Sequence, residues 1–445
     1  MRIFIAGAGE VGTHLAKLFV HSDHEVILMD EDESKLQQME SHFDLMIKKG
    51  CMTSLHDLSE ADVSSADLFI AVPPYPDMSV LACILAKKLG AKTTISRVNT
   101  LEYLQPDKQQ LFRQLGVDEI IYPEQLGAKE AVDSLKLVGV RQLFKSSDGN
   151  LVLALIKVRD NAPIIGKPFA EISSLRKENY NIVAINRGDE TIIPHGNDCL
   201  LHEDLAYFVT TNENLEQVIS DAGKEQHDVN NVMIIGGSRI GMQIARAIEH
   251  NYNVKLIEKD RETSEMLANE LENTLVINGD ARNLDLLREE GIEKMDALIA
   301  VSDNSEINIL ACQLAKKIGI LKTVADVENL DYIPLAEGIG IGTLINKKLI
   351  AASYIYRYTL NAHVAYVKCL TSTNAEMLEL VAQPDSKITR AKIKDLDLPK
   401  DMNIGGVVRG NETFIATGHT QIEPYDKVVI FAMQSSIKRI EKLFV

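Results

Sequence analysis

The sequence predicts an α/β chain built by duplication: two doubly wound parallel-sheet domains, each followed by a small α+β domain, in the order A-B-A′-B′. Three observations carry this expectation. The chain matches itself at an offset of 229 residues, where Leu81–Gly90 (LACILAKKLG) falls on Leu310–Gly319 (LACQLAKKIG), and Gly7, Gly12 and Gly50 fall on Gly236, Gly241 and Gly279. A second self-match, offset by 222, lays Asn181–Gly196 over Asn403–Gly418. Within each A copy short apolar runs alternate with amphipathic helical stretches, as βαβ units and a buried parallel sheet require.

Taken in order, the first A copy (1–123) has strand-like runs at Arg2–Ala6, Glu25–Asp30, Asp44–Lys48, Leu68–Val72, Thr93–Val98 and Glu119–Tyr122. Helical patterns such as Gly12–His21 and Met78–Leu89 separate them, and a helix at Gln125–Val138 leads out. The first B copy (139–222) has strand runs at Val152–Val158, Ile182–Asn186, Thr191–Ile193 and Ala206–Val209. Turn signals at Asn161–Gly166, Arg187–Asp189 and His195–Asp198 bound them, with helices near Phe169–Lys177 and Asn214–Ser220. The polar stretch Asp221–Asn231 reads as a linker. The second A copy spans 230–346, the helix Lys347–Tyr358 leads out, and the second B copy spans 363–445. Helix Lys347–Tyr358 is rich in aromatic and apolar side chains, which fits ordinary domain packing or a role in assembly.

Composition narrows the function classes. At 445 residues the chain exceeds a single core and should hold three or four domains. Its 47 basic and 64 acidic residues leave a net charge of −17, which disfavours nonspecific nucleic-acid binding. No apolar run is long enough to cross a membrane, and the first strand begins too early for a signal peptide. Five scattered cysteines without CxxC spacing predict neither disulfides nor a zinc site and fit a reducing cytoplasm. Cys83 and Cys312, on the LAxxLAKK helices, read as core residues.

The first copy opens with Gly7-Ala8-Gly9-Glu10-Val11-Gly12, a GxGxxG between a strand and a helix, and Asp30 ends the next strand. Gly7 permits the turn, Gly9 admits a pyrophosphate, and Gly12 lets the helix pack close, so that its N-terminus faces phosphate in a Rossmann-like crevice. Asp30 would accept from ribose hydroxyls and repel a 2′-phosphate, favouring NAD over NADP; the alternative is a structural turn with a surface Asp. Pro73-Pro74 and Arg97 follow strand ends at the same crevice, and Arg97 could fork onto phosphate or simply lie on the surface. The second copy reads Gly236-Gly237-Ser238-Arg239-Ile240-Gly241, with Glu258 as its strand-end acid. Asp326 stands where the first copy has Arg97, which predicts a less phosphate-friendly second pocket. Asp280 replaces Cys51 and could accept from an adenine amino group. No acid–base pair recurs between the copies: His195 and His202 align with Thr417 and Pro424. No catalytic or metal-binding residue is therefore expected, although an NAD-dependent dehydrogenase acting on a small substrate remains the competing class.

GAGEVG with Asp30, DMSVLACILAKKLG and ISRV resemble the first nucleotide-binding module of the regulators of potassium conductance, the RCK or KTN family. GGSRIG, NGDA, SDNSEINILACQLAKK (with Ser302 and Asp303) and VADV resemble a second module, and HEDLAYFV and PYDKVVIF, with Asp204 and Asp426, resemble the small C-terminal modules. Two such pairs in one chain are similar to the peripheral subunits of bacterial Trk potassium-uptake systems. The resemblance implies a cytoplasmic regulator, peripheral on the inner membrane face. It would bind NAD(H), or ATP or ADP, and assemble as a homo-oligomeric, tetrameric ring. Its partner would be a membrane potassium protein of the TrkH type. This chain departs from the family pattern at Cys51, Ser79, Ser238 and Asp326, while Asn308 is kept after Glu306.

Overall fold

The protein is described by a computed structural model covering residues 1–20, 24–146, 149–175, 179–188, 190–360, 364–369 and 375–445. The expected element ends at His21 and Lys177, the turn residue Asp189, His363 at the start of the last domain and the Cys369 side chain lie outside the described residues.

The chain divides into two compact units: residues 1–126 with 347–359, and residues 127–346 with 360–445. In the first unit, strands β1 (Arg2–Ala6), β2 (Glu25–Asp30), β3 (Met46–Lys49), β4 (Leu68–Ala71), β5 (Thr93–Arg97) and β6 (Glu119–Ile121) form one parallel sheet in the order β3-β2-β1-β4-β5-β6. Its central strands β1, β2 and β4 are nearly continuous apolar runs because helices cover both faces: α1 (Glu10–Val20), α2 (Glu33–Glu40), α3 (Leu55–Glu60), α4 (Pro76–Leu89) and α5 (Pro106–Leu115). Ala6 is in register with Met29 on one side and Ala71 on the other. The carboxyl ends of β1, β2 and β4 thus meet at the point where the winding reverses, the place where such sheets bind ligands. Helix α6 (Pro123–Leu135) begins in this unit and continues into the second.

The aromatic helix α14 (Lys347–Tyr356), although encoded in the second half, belongs to the first unit and packs on α1. Tyr356 stacks on Phe19 with ring centroids 6.2 Å apart, and Tyr354 donates to Glu119 at 3.4 Å. Its surplus of aromatic residues is explained by packing on the other copy's nucleotide-type domain, a cross-copy contact that periodicity cannot reveal.

The second unit holds three sheets. Strands β7 (Gln142–Lys145), β8 (Leu151–Lys157), β9 (Tyr180–Arg187), β10 (Glu190–Ile192) and β11 (Leu205–Thr211) form an antiparallel sheet in the order β10-β9-β11-β8-β7. Helices α7 (Phe169–Leu175) and α8 (Leu215–Asp221) belong to this small domain. Strand β7 has only two apolar residues, too few to register as a strand run. Strands β12 (Asn231–Ile235), β13 (Asn253–Glu258), β14 (Thr274–Asn278), β15 (Ala297–Ala300), β16 (Lys322–Asp326) and β17 (Thr343–Ile345) repeat the parallel order β14-β13-β12-β15-β16-β17. Helices α9 (Arg239–Ile248), α10 (Arg261–Glu270), α11 (Leu284–Glu289), α12 (Ser305–Lys317) and α13 (Tyr332–Gly338) accompany this sheet. The last sheet is antiparallel, with β18 (Val364–Cys369), β19 (Ala375–Val381), β20 (Met402–Arg409), β21 (Glu412–Ile415) and β22 (Lys427–Met433) in the order β18-β19-β22-β20-β21, and helix α15 (Ile437–Phe444) closes the chain.

The two small domains share a core in which Leu151, Tyr207 and Val209 meet Met377, Val429 and Phe431. At Gly405 a side chain would run into Val209, so glycine permits the close approach. The proposed linker is shorter than its polarity suggests. Asp221 is buried, accepting from the Tyr180 hydroxyl and from Gln217, each at 2.9 Å, and Asn231 opens β12. Cys83 and Cys312 are fully buried. Burial raises both thiols, Cys312 to about 12, and Cys312 donates to the Val324 carbonyl at 3.3 Å.

Candidate functional site: paired glycine-turn crevices

In the first crevice Gly7 holds φ +114°, a backbone setting that suits glycine, and its turn runs from β1 into α1. The Ala8 N–H donates to Asp30 Oδ2 at 2.7 Å, and the Asp32 N–H donates to Asp30 Oδ1 at 2.9 Å. Asp30 therefore clamps the turn to the end of β2, with further lone pairs on both oxygens able to accept from a ligand. A Cβ at Gly9 would meet no atom within 4 Å, so this position borders open space. A Cβ at Gly12 would overlap the Gly7 carbonyl oxygen, which makes Gly12 a packing residue. Thr13 N–H to Gly9 C=O, at 2.9 Å, is the turn's first helical bond, so the N–H groups ahead of it face outward from the helix end. Exposed Glu10 pairs with Lys348 of α14 at 3.0 Å, while Val11 is buried.

The second crevice repeats the clamp with one reciprocal change of size. Gly236 holds φ +103°, the Gly237 N–H donates to Glu258 Oε2 at 2.6 Å, and the Asp260 N–H donates to Glu258 Oε1 at 2.7 Å. A side chain at Gly237 would strike Leu267 and the Glu258 carboxylate. The longer acid is thus matched by a smaller turn residue, where the first copy pairs Asp with Ala. Ser238 fills the space that Gly9 leaves open: its hydroxyl donates to the Val301 carbonyl at 2.6 Å and accepts from the Gly241 N–H at 3.4 Å. Ile240 is buried, Gly241 packs against Gly236 as Gly12 does against Gly7, and Arg239 is exposed in the first turn of α9.

The remaining expected residues are distributed around these turns. Pro73 adjoins Gly7 and is buried, whereas Pro74 is exposed and its carbonyl accepts from Asn99 at 3.5 Å. In the second copy Ser302 takes this place. Asn308 fixes it, accepting from the Ser302 N–H at 3.0 Å and hydroxyl at 2.7 Å and donating to the carbonyls of Ser302 and Asp326 at 2.8 and 2.9 Å. Asp303 is exposed beside it.

Three charged residues have neighbours that sequence reasoning missed. Arg97 pairs with buried Glu124 at 3.4 Å, so its guanidinium is already partly neutralised. Asp326, which stands where the first copy has Arg97, is buried, so it acts on the second crevice only through its field and not as a solvent-facing group. Asp280 receives the Arg282 guanidinium in a two-pronged contact at 3.0 and 2.6 Å, and this partner holds its carboxyl down to about 2. An adenine amino group would have to share that carboxylate. The Cys51 N–H donates to Asp57 at 2.7 Å, a bond that lowers the Asp57 carboxyl and places a second acid beside the position where the family's acid is missing.

Each small domain carries an arginine pinned to a buried aspartate, and in the second the arginine also pairs with Glu423 at 2.7 Å. Arg187 donates to Asp204 at 2.9 and 2.7 Å and Arg409 to Asp426 at the same two distances, while each Arg also reaches a turn carbonyl, of Cys199 and Gln421. Both carboxylates are almost fully buried.

This duplicated pattern, a glycine turn clamped by a strand-end acid and followed by a pinned small sheet, defines a tandem protein of the dinucleotide-fold class. The TrkA-N domain model matches residues 3–123 and 232–347, and the TrkA-C domain model matches 153–223 and 377–445. The chain belongs to the TrkA family. It is 31% identical to the Trk system potassium uptake protein TrkA of Vibrio alginolyticus, covering 100% of this chain and 98% of that one. It is 32% identical to the TrkA homologs of Archaeoglobus fulgidus and, for homolog 1, Methanosarcina mazei, covering 100% of both chains in each case. Among solved structures the GsuK RCK domain superposes with TM-score 0.63 at 16% identity, covering 100% of this chain and 94% of that one. The GsuK channel bound to NAD gives 0.61 at 15% identity, with 100% and 78% covered. These likenesses show the fold. Among the described residues no helix is long and apolar enough to cross a membrane.

Proposed function

We propose that the chain is the nucleotide-sensing regulatory subunit of a potassium-uptake system and gates a separate membrane potassium protein of the TrkH type. In this reading it acts as a homo-oligomeric, tetrameric ring, peripheral on the inner face of the membrane. It binds NAD(H), with ATP or ADP as competing ligands, and catalyses no reaction. The domain limits 1–123, 139–222, 230–346 and 363–445 belong to the same proposal.

The observation that carries it is the open space at Gly9 beside a turn whose neighbouring N–H is clamped by Asp30. The absence of any atom within 4 Å of a Cβ at Gly9 leaves room for a pyrophosphate to approach, and the helix N-terminus would stabilise its charge. Gly7–Gly12, Pro73, Pro74, Arg97, Cys51 and Asp30 would surround the first ligand, and Gly236–Gly241, Glu258, Asp280, Ser302 and Asp303 the second. The Glu10–Lys348 pair links the first crevice to helix α14, giving ligand-dependent charge a contact through which to shift that helix. Family membership and the names of its relatives support the potassium role.

The dehydrogenase alternative has less support. His195 and His202 sit in turns of the small domain, and His202 pairs with Asp160 there. Calorimetry of the purified chain with NADH, NAD⁺, ATP and ADP, with mass measured before and after, tests the proposal. Micromolar or tighter binding by a tetramer is expected. Absence of binding by all four, or substrate-dependent turnover of NADH, would remove it.

A further inference from the structure

Within the second unit, where the first small domain meets the second doubly wound domain, a cavity of about 270 Å³ is lined by Arg141, Lys157, Arg159, Lys224, Lys316 and Lys322. Among the described lining residues the one carboxylate is Glu203, paired with Lys157, and Glu337 lies close enough to act on Arg141 from outside the lining. Six basic side chains with two acids near them are anomalous in a chain whose net charge is −17. Buried Lys322 is held by the Val140 and Leu137 carbonyls at 2.7 and 3.4 Å, and Lys316 donates to the Ile339 carbonyl at 3.1 Å. Those bonds orient the ammonium groups without cancelling charge. Among the described residues the side chains of Arg141, Arg159 and Lys224 make no hydrogen bond and no ion pair. Self-repulsion of this kind costs stability unless an anion enters.

We infer that this cavity is a binding site for a small, multiply charged phosphate anion, separate from both glycine-turn crevices. Its volume suits a phosphate or pyrophosphate group, either free or as the tail of a nucleotide, and its mixture of guanidinium forks and ammonium point charges suits phosphate oxygens. The cations' mutual influence is visible in their protonation. Burial, with Arg159, Arg141, Lys157 and Lys316 nearby, lowers Lys224 to about 8, and burial with Lys224 nearby lowers Lys322 to about 7. A bound anion reverses both shifts, so binding near pH 8 takes up protons.

The test is thermal unfolding and calorimetry of the full chain with inorganic pyrophosphate, in the presence of saturating NADH to occupy the crevices. The parent chain is expected to bind pyrophosphate and gain several degrees, with heats that depend on the buffer's ionisation enthalpy. Lys224→Gln, which keeps half the stem and removes a repelling charge, is expected to raise the unfolding midpoint without ligand while weakening pyrophosphate at least tenfold. Arg141→Gln should weaken it similarly. ADP that competes with pyrophosphate would identify a nucleotide tail as the occupant, and ADP without effect would identify the free anion; both support the site. A Lys224→Gln chain that is less stable without ligand and keeps the pyrophosphate response overturns the inference, as does pyrophosphate binding abolished by NADH.

Discussion

A methyl group at Gly9 meets open space, while one at Gly12 meets the Gly7 carbonyl, so two glycines of one motif should respond oppositely to substitution. Gly9→Val is expected to unfold within about 1 kcal/mol of the parent and to lose NADH binding at least tenfold. Gly12→Ala should cost roughly 3 kcal/mol, because backbone cannot move aside as a side chain can. Denaturant titration beside calorimetry separates the two, and equal stability of both variants would contradict the assignment. The motif alone named both residues but could not assign these separate duties. Asp30→Ala removes a ribose acceptor and the clamp on Ala8 N–H together, so NADH affinity should fall by roughly 1–3 kcal/mol. Unchanged affinity by calorimetry would remove Asp30 from the site. Asp30 and Glu258 were legible because strand-end acids have a fixed place in the pattern. Glu124 on Arg97 and Arg282 on Asp280 were not: the first pairing depends on tertiary approach, and the second on a turn whose conformation the sequence does not dictate.

At the scale of elements, strands and glycine turns were read nearly in place because apolar runs and period speak locally. Helix α14 was legible as a helix, but its cross-copy placement on α1 was not, since both copies offer it a similar sheet. The repeated Arg–Asp pins of the small domains show a second kind of element control. Asp204→Asn leaves Arg187 without its buried counter-charge; with Arg187 a third exposed, the loss should be about 2–3 kcal/mol. Asp426→Asn should cost less, because Arg409 keeps its ion pair with Glu423 at 2.7 Å, and a change below about 0.5 kcal/mol in chemical unfolding of Asp204→Asn would show the pin to be dispensable. Lys322, at the start of β16, gives the fold a pH signature. Its folded value of about 7 lies below the ordinary lysine value of 10.5, so between these pH values the unfolded chain holds more protons and this residue makes stability rise with pH. The stability of Lys322→Met relative to the parent should therefore shift in the parent's favour from pH 7 to 10. A difference that stays constant across that window would show that Lys322 does not titrate there.

For the whole molecule, duplication is the organising fact, and the two self-matches make the paired sheets legible in the sequence. Drift between the copies is where sequence reasoning weakened. The substitution of Asp326 for Arg97 suggests a charge contrast without revealing that Asp326 is buried, and Ser238 changes the second turn by anchoring to Val301. The basic cavity was invisible in sequence because its cations come from distant segments and are outnumbered in the overall charge. If the protein works by nucleotide control of a membrane partner, presence of the chain and occupancy of its crevices must be separable. Potassium uptake should be measured in a strain lacking other uptake systems, comparing the parent gene, a deletion and Gly9→Val. The account predicts poor growth and slow uptake at low external potassium in the deletion, with the same defect from a Gly9→Val chain that is folded and present at parental levels. Normal uptake in the deletion strain would contradict it.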